Sequence, residues 1–144
     1  VILATRYHDF SAGHRVTGHE NKCAHLHGHN YRVHFYVEAE ELDTVGRVLD
    51  FSIIKSLLCE WLEKHWDHRM ILWEDDPKLE LLLAAVGPEG SFLDDIAVVP
   101  FNPTAENMAR YLVDNVGPEV LPHGLRLARC RVEETRKCAA EYAL

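Results

Sequence analysis

The chain predicts an α+β domain with an antiparallel four-stranded sheet and helices on one face, spanning residues 1–144 as a single unit. Three observations carry this. Asn30 to Glu40 alternates Tyr31, Val33, Phe35, Val37 and Ala39 with Arg32, His34, Tyr36 and Glu38, the period of a half-buried strand. Ile53, Ile54, Leu57, Leu58, Trp61 and Leu62 instead repeat with the period of a helix. The elements follow in the order strand, strand, helix, short helix, strand, helix, strand.

Taken in turn, Val1 to Ala12 reads as the first strand, with Phe10, Ala12 and His14 on one face if the chain stays extended. Residues 15–28 form a connection rich in glycine, histidine and charge, and the second strand runs from about Asn30 to Glu40. After a turn region at Glu41 to Val48, Asp50 or Ser52 caps a helix from about Ile53 to Lys64. Pro77 opens a shorter helix to Ala85, with Gly87 just beyond it. Ile96 to Phe101 is a short buried strand. Thr104 then caps a helix carrying Met108, Ala109, Leu112, Val113 and Val116, which Gly117-Pro118 is expected to end. Leu125 to Thr135 is the last strand, with Ala128, Cys130, Val132 and Glu134 on one face and Arg129, Arg131 and Glu133 on the other.

Composition narrows the function. The net charge of −8 disfavours nonspecific nucleic-acid binding, which needs a basic surface. No apolar run reaches the length of a membrane span, and the first residues lack the pattern of a signal peptide. Four scattered cysteines, none in a Cys-x-x-Cys pair, read as free thiols in a cytoplasmic protein.

The chemistry concentrates in Cys23-Ala24-His25-Leu26-His27-Gly28-His29. In an extended chain His27 and His29 point to one face, and antiparallel pairing of the first two strands brings His14 beside them. Three neutral imidazoles are a recurrent ligand set for catalytic zinc, leaving one position for water or substrate. Cys23 is either a fourth ligand that closes the site or a nearby thiolate that moves protons; the pattern leaves both open. Asp67-His68 has the composition of an acid–base pair, but adjacent side chains seldom meet, so a helix-terminal histidine beside a solvated aspartate is the simpler expectation. Glu134 ends an apolar face with a carboxylate, which calls either for an arginine or for the paired N–H groups of a planar ligand. Thr104 is most simply a helix cap.

Taken together, Phe10-Ser11-Ala12-Gly13-His14, Cys23-x-x-x-His27-Gly28-His29-Asn30-Tyr31, Leu49-Asp50-Phe51, Asp67-His68, Pro103-Thr104-Ala105-Glu106-Asn107 and Glu134-Thr135 resemble the 6-pyruvoyltetrahydropterin / 6-carboxytetrahydropterin synthase family over nearly the whole chain. The resemblance implies the tunnelling fold, in which sheets of neighbouring subunits join into a barrel and two trimers stack into a homo-hexamer. It implies that His14, His27 and His29 hold zinc and that Cys23 is the general base beside the metal. Asp67 and His68, from a neighbouring subunit, would complete a relay with Cys23. Glu134 would anchor the pterin ring, with Thr104 and Glu106 lining its pocket. The implied substrate is 7,8-dihydroneopterin triphosphate. The implied product is 6-carboxytetrahydropterin with loss of triphosphate and acetaldehyde, on the path to queuosine, or alternatively 6-pyruvoyltetrahydropterin on the path to biopterin. A non-catalytic zinc-containing pterin-binding or assembly protein is the reading of another class. Three features depart from the pattern. Trp73 to Asp95 looks longer than in compact members, His25 has no family role, and Arg15, Lys22 or Arg32 must offset an acidic chain if a triphosphate binds.

Overall fold

The computed structural model describes residues 1–86 and 95–144. Strand β1 (Ala4–His14) pairs antiparallel with β2 (His27–Ala39), which pairs antiparallel with β5 (Leu125–Glu133), and β5 with β6 (Ala139–Ala143). On the other side, β3 (Met70–Trp73) runs parallel to β1, and β4 (Ile96–Val99) parallel to β3. The sheet therefore has six strands in the order β4-β3-β1-β2-β5-β6 and is mixed. This corrects the expected four-stranded antiparallel sheet. The two additional strands are short. Met70–Trp73 lies too close behind the preceding helix to show a period of its own, and Ala139–Ala143 is an edge strand whose burial alternates only weakly.

Helix α1 comprises the segments Phe51–Ile54, Lys55–Cys59 and Glu60–His65, the middle one a π-helical turn. Its cap is Asp50, whose side chain accepts from the backbone N–H of Ser52. Helix α2 (Leu79–Val86) replaces the expected 77–85 helix; Gly87, its expected stop, lies outside the described residues. Helix α3 comprises Ala105–Tyr111, a π turn at Leu112–Val116, and Gly117–Val120.

Ile54, Leu58 and Leu62 of α1 and Met108, Leu112 and Val116 of α3 pack in one cluster with Phe10, Tyr31, Val33, Phe35, Val37, Leu127, Cys130 and Val132 of the sheet. The two long helices thus cover the inward face of the strands. The register shifts between Tyr36 and Val37, where Arg129 and then Leu127 are the partners on β5. This bulge removes Ala128 from the expected inward phase and puts Leu127 there, buried, without disturbing Cys130, Val132 and Glu134.

Gly117-Pro118 does not end the helix. Pro118 enters at the start of the segment after the π turn, where the N–H it lacks is not needed, and the chain stays helical to Val120. The glycine has a packing role instead: a Cβ at Gly117 would lie 2.8 Å from Leu127 Cβ. Gly117→Ala should therefore destabilise the fold by about 1–3 kcal/mol through overpacking, outweighing the ~1 kcal/mol gained in helix propensity. Urea unfolding of the two proteins checks this.

Candidate metal centre and active site

The β1–β2 register sets His14 directly opposite His27 and Ala12 opposite His29, so three imidazoles reach the inward face from two adjacent strands. β2 begins at His27 rather than Asn30, and β1 extends to His14, so all three histidines belong to the ladder. Each offers a ring nitrogen within 4.8 Å of the others. Gly28 allows the strands to close up, because a Cβ there would sit 3.0 Å from the Ala12 carbonyl oxygen.

Hydrogen bonds settle which nitrogen faces the site. His14 Nδ1 lies 2.7 Å from the Pro103 carbonyl oxygen, and His27 Nδ1 lies 2.7 Å from that of His25. A carbonyl oxygen only accepts, so both Nδ1 atoms carry the proton and donate. A neutral ring protonated at Nδ1 has a bare lone pair at Nε2. Yet His14 Nε2 and His27 Nε2 are 3.1 Å apart. Two lone pairs at that separation repel unless a cation lies near both. A proton is a poor candidate for His14, whose pKa burial pushes down to about 4, with the Pro103 contact opposing and His27 and His29 adding to the drop. His29 Nε2 is buried without a hydrogen-bond partner. Burial also lowers the pKa of His29, against the pull of Glu134 and with the help of His27. The donor set fits a metal ion: three imidazole nitrogens, at least two with their tautomer held by a carbonyl behind the ring.

Glu134 stands just past β5 in the turn to β6, its N–H donating to the Cys138 carbonyl at 3.1 Å. Its carboxylate lies 3.9 Å from His14 Nε2 and 3.7 Å from His29 Nε2, so it faces the histidines. Glu133 points to the opposite face and pairs with His34 at 2.5 Å. No arginine bonds to Glu134 among the described residues. Glu106, exposed in the first turn of α3, shares with Glu134 a cavity of about 510 Å³. Thr104 caps that helix, its hydroxyl accepting from the Asn107 N–H at 3.1 Å.

Cys23 is partly buried in a 3-10 turn at Lys22–Ala24, outside the three-histidine group. Asp67 and His68 do meet, contrary to the expectation for neighbours. His68 takes a left-handed backbone, φ 58°, which swings its Nδ1 to 2.8 Å from Asp67 Oδ2. Asp67 Oδ1 accepts from the Ser11 N–H at 3.1 Å, and the His68 N–H donates to the Ser11 carbonyl at 2.6 Å. Burial raises the Asp67 pKa, but the hydrogen bonds from His68 and Ser11 outweigh it and hold the carboxyl below the usual range. The dyad lines a cavity of about 600 Å³ with Asp9, Ser11, Asn30 and Arg32, which take the outward phase of their strands, whereas the imidazoles take the inward one.

Sequence reasoning missed three contributors. Tyr31, two residues after His29 in the same phase, packs edge-on to His14 and His29 with ring centroids 5.9 and 5.4 Å away, and its buried hydroxyl has no hydrogen-bond partner. Pro103 and His25 act only through their carbonyls, for which side-chain identity carries no signal. Of the expected offsetting cations, Arg15 is buried and bound to Asp76, and Arg32 is bound to Asp9.

The His14 environment predicts a stability effect in metal-free protein. Unfolded, His14 binds its proton near pH 6.5; folded, only near 4. Between these values the unfolded state holds the extra proton, so stability should fall as pH drops from 6.5 to 4, by up to about 1.4 kcal/mol per pH unit. Below that window this group adds no further loss. Urea midpoints of chelator-treated wild type and His14→Asn across the range check it: the wild type should show the steeper slope.

Comparison with known proteins agrees with this geometry. The family model described as 6-pyruvoyl tetrahydropterin synthase matches residues 4–144. A protein of Rickettsia typhi named 6-carboxy-5,6,7,8-tetrahydropterin synthase is 35% identical over 142 residues, covering 98% of this chain and 99% of the relative. One of the same name from Synechocystis is 31% identical over 118 residues, 76% of this chain and 92% of the relative. Among solved structures, an uncharacterized protein from Wolinella succinogenes superposes with a TM-score of 0.84 at 26% identity over 99% of this chain and 97% of that one. The 6-pyruvoyl tetrahydropterin synthase of Caenorhabditis elegans, at 24% identity and TM-score 0.67 over 99% and 95% of the two chains, shares the fold. With three inward imidazoles on paired strands and a family match over nearly its whole length, the chain belongs to the 6-pyruvoyl tetrahydropterin synthase family.

Proposed function

We propose that this protein is a zinc-dependent lyase that converts 7,8-dihydroneopterin triphosphate to 6-carboxy-5,6,7,8-tetrahydropterin, releasing triphosphate and acetaldehyde on the route to queuosine and related 7-deazaguanines. The single observation that carries the metal is the 3.1 Å approach of two Nε2 lone pairs whose Nδ1 protons are held by carbonyls. The relatives named 6-carboxy-5,6,7,8-tetrahydropterin synthase support the carboxy product over the pyruvoyl one. His14, His27 and His29 would hold zinc, which when bound polarises hydroxyl and carbonyl groups.

The chain's own side chains do the rest. Glu134, facing the histidines with no arginine bonded to it among the described residues, accepts the two adjacent N–H donors of the pterin ring and so orients it. Thr104 and Glu106 lie at the start of α3 beside that pocket. Cys23 moves a proton next to the substrate side chain, and Asp67 fixes the tautomer of His68 so that Nε2 of the exposed ring can pass the proton on. Because the dyad faces the outward side of the sheet, we assign this relay to the site of a neighbouring subunit. Among the described residues the sheet edges at β4 and β6 are unpaired, which suits a barrel of joined sheets, and hence the hexamer. Four free cysteines suit a reducing cytoplasm.

The test is incubation of purified protein with 7,8-dihydroneopterin triphosphate while acetaldehyde, triphosphate and product mass are followed. Release of all three supports the lyase; triphosphate without acetaldehyde moves the assignment to the pyruvoyl branch, and binding without turnover makes it a pterin-binding protein. His27→Ala should lose its zinc. Cys23→Ala should keep zinc by elemental analysis and lose about 10²–10⁴-fold in turnover; zinc lost along with activity would make Cys23 a ligand. Glu134→Gln should weaken pterin binding in a fluorescence titration with zinc content unchanged, and Glu133→Gln should do much less.

A further inference from the structure

The turn that carries Cys23 is short, partly exposed and capped by no side chain. A three-residue 3-10 turn has little stability of its own, so something else must hold it. Its two consecutive carbonyls are both taken from the chain just after His14. The Val16 N–H donates to the Cys23 carbonyl at 2.7 Å. The Arg15 guanidinium donates through one terminal nitrogen to the Ala24 carbonyl at 3.2 Å. Arg15 is in turn held by Asp76, its Nε 2.7 Å from Oδ2, with side-chain exposures of 10% and 0% for the pair.

Asp76 is itself fastened. Its Oδ1 accepts from the Lys78 N–H at 2.9 Å, its carbonyl accepts from the Leu79 N–H at 3.0 Å, and its own N–H donates to the Trp73 carbonyl at 3.0 Å. The carboxylate thus sits on a rigid corner between β3 and α2. An arginine suits the link because its planar fork can bond a carboxylate and a carbonyl at once, which an ammonium on a flexible stem does less well.

We propose that Arg15 and Asp76 are positioning residues for Cys23: the buried pair holds the adjacent Ala24 carbonyl, next to the Val16 N–H that holds the Cys23 carbonyl, and so sets the thiol's place relative to the histidines. This rests on the assignment of Cys23 to proton transfer, and it adds that the β3–α2 corner, remote in sequence, controls that step. Neither residue touches the substrate in this scheme; both act through the turn.

The test uses Arg15→Lys and Asp76→Asn in the full chain. The lysine keeps a positive charge for Asp76 but cannot span both partners, so it releases the turn while preserving the buried ion pair. The readouts are zinc content, kcat and KM, and the rate of Cys23 alkylation by iodoacetamide against pH, followed on the Cys23 peptide by mass spectrometry. With the clamp released, Cys23 should alkylate several-fold faster, with its pH midpoint displaced. The kcat should fall about 10–100-fold, as misplacement of a reacting group by an ångström does, while KM and zinc content hold within about twofold. If Asp76→Asn does not fold, Arg15→Lys decides alone. A folded, zinc-loaded Arg15→Lys with unchanged alkylation and kcat overturns the proposal. Cys23→Ala is the control for the underlying assignment. If it retains turnover, the catalytic consequence is overturned with that assignment, and alkylation still decides the clamp.

Discussion

The antiparallel pairing of β1 with β2 is the constraint on which the site depends. Its register runs unbroken from Ala4 opposite Val37 to His14 opposite His27. A slip of one residue would send every side chain of one strand to the other face and separate the imidazoles. The apolar phase guards against that slip. Phe10 and Ala12 on β1, and Tyr31, Val33, Phe35 and Val37 on β2, are all buried under the helices and would have to be exposed. Core packing therefore specifies the metal site: the energy that holds the register comes from the apolar residues, and the histidines ride at the end of the same phase.

Carbonyl groups then finish what the strands begin. The carbonyls of Pro103, at the entrance to α3, and His25, in the connection, each accept a hydrogen bond from the Nδ1–H of an imidazole and leave its Nε2 facing inward. Thr104 has a modest local duty as a helix cap, yet by fixing the start of α3 it also holds the neighbouring Pro103 carbonyl behind His14. A position that reads as simple capping is thus linked to the tautomer of a metal ligand. The same economy appears at Gly117, where absence of a side chain serves close packing of α3 on β5 and not chain termination.

The outward face of the sheet has a different character. It carries Arg32 paired with Asp9 and stacked over Tyr7, His34 paired with Glu133, and Arg129 over Tyr36. Paired charges on a strand face keep it compatible with water or with a polar neighbour. They also occupy Arg32 and Arg129, which an acidic chain could otherwise turn toward an anionic ligand. Asp67 and His68 open toward this face, and the left-handed backbone at His68 is what makes that geometry possible.

Much of this was legible in the residues themselves. Alternation in Asn30 to Glu40 determined the phase of β2, that phase extended backward determined the face of His27 and His29, and the order of motifs determined the family. Thr104 was readable as a cap, and Asp50 as one of two candidates with Ser52, because capping is a local hydrogen bond. Glu134 and Glu133 were separable because strand period is local too. Tertiary structure alone decided the rest. Two short strands draw their stability from neighbours and not from their own pattern, so the sheet has six strands where four were expected. The bulge at Ala128 and the continuation of α3 past Pro118 answer to packing against distant elements. Arg15 looked like a cation free for phosphate, and only the fold brings Asp76, far along the chain, against it. Periodicity and capping are written within a few residues and can be read there; contacts across the fold depend on which surfaces bury one another, and no local stretch contains that information.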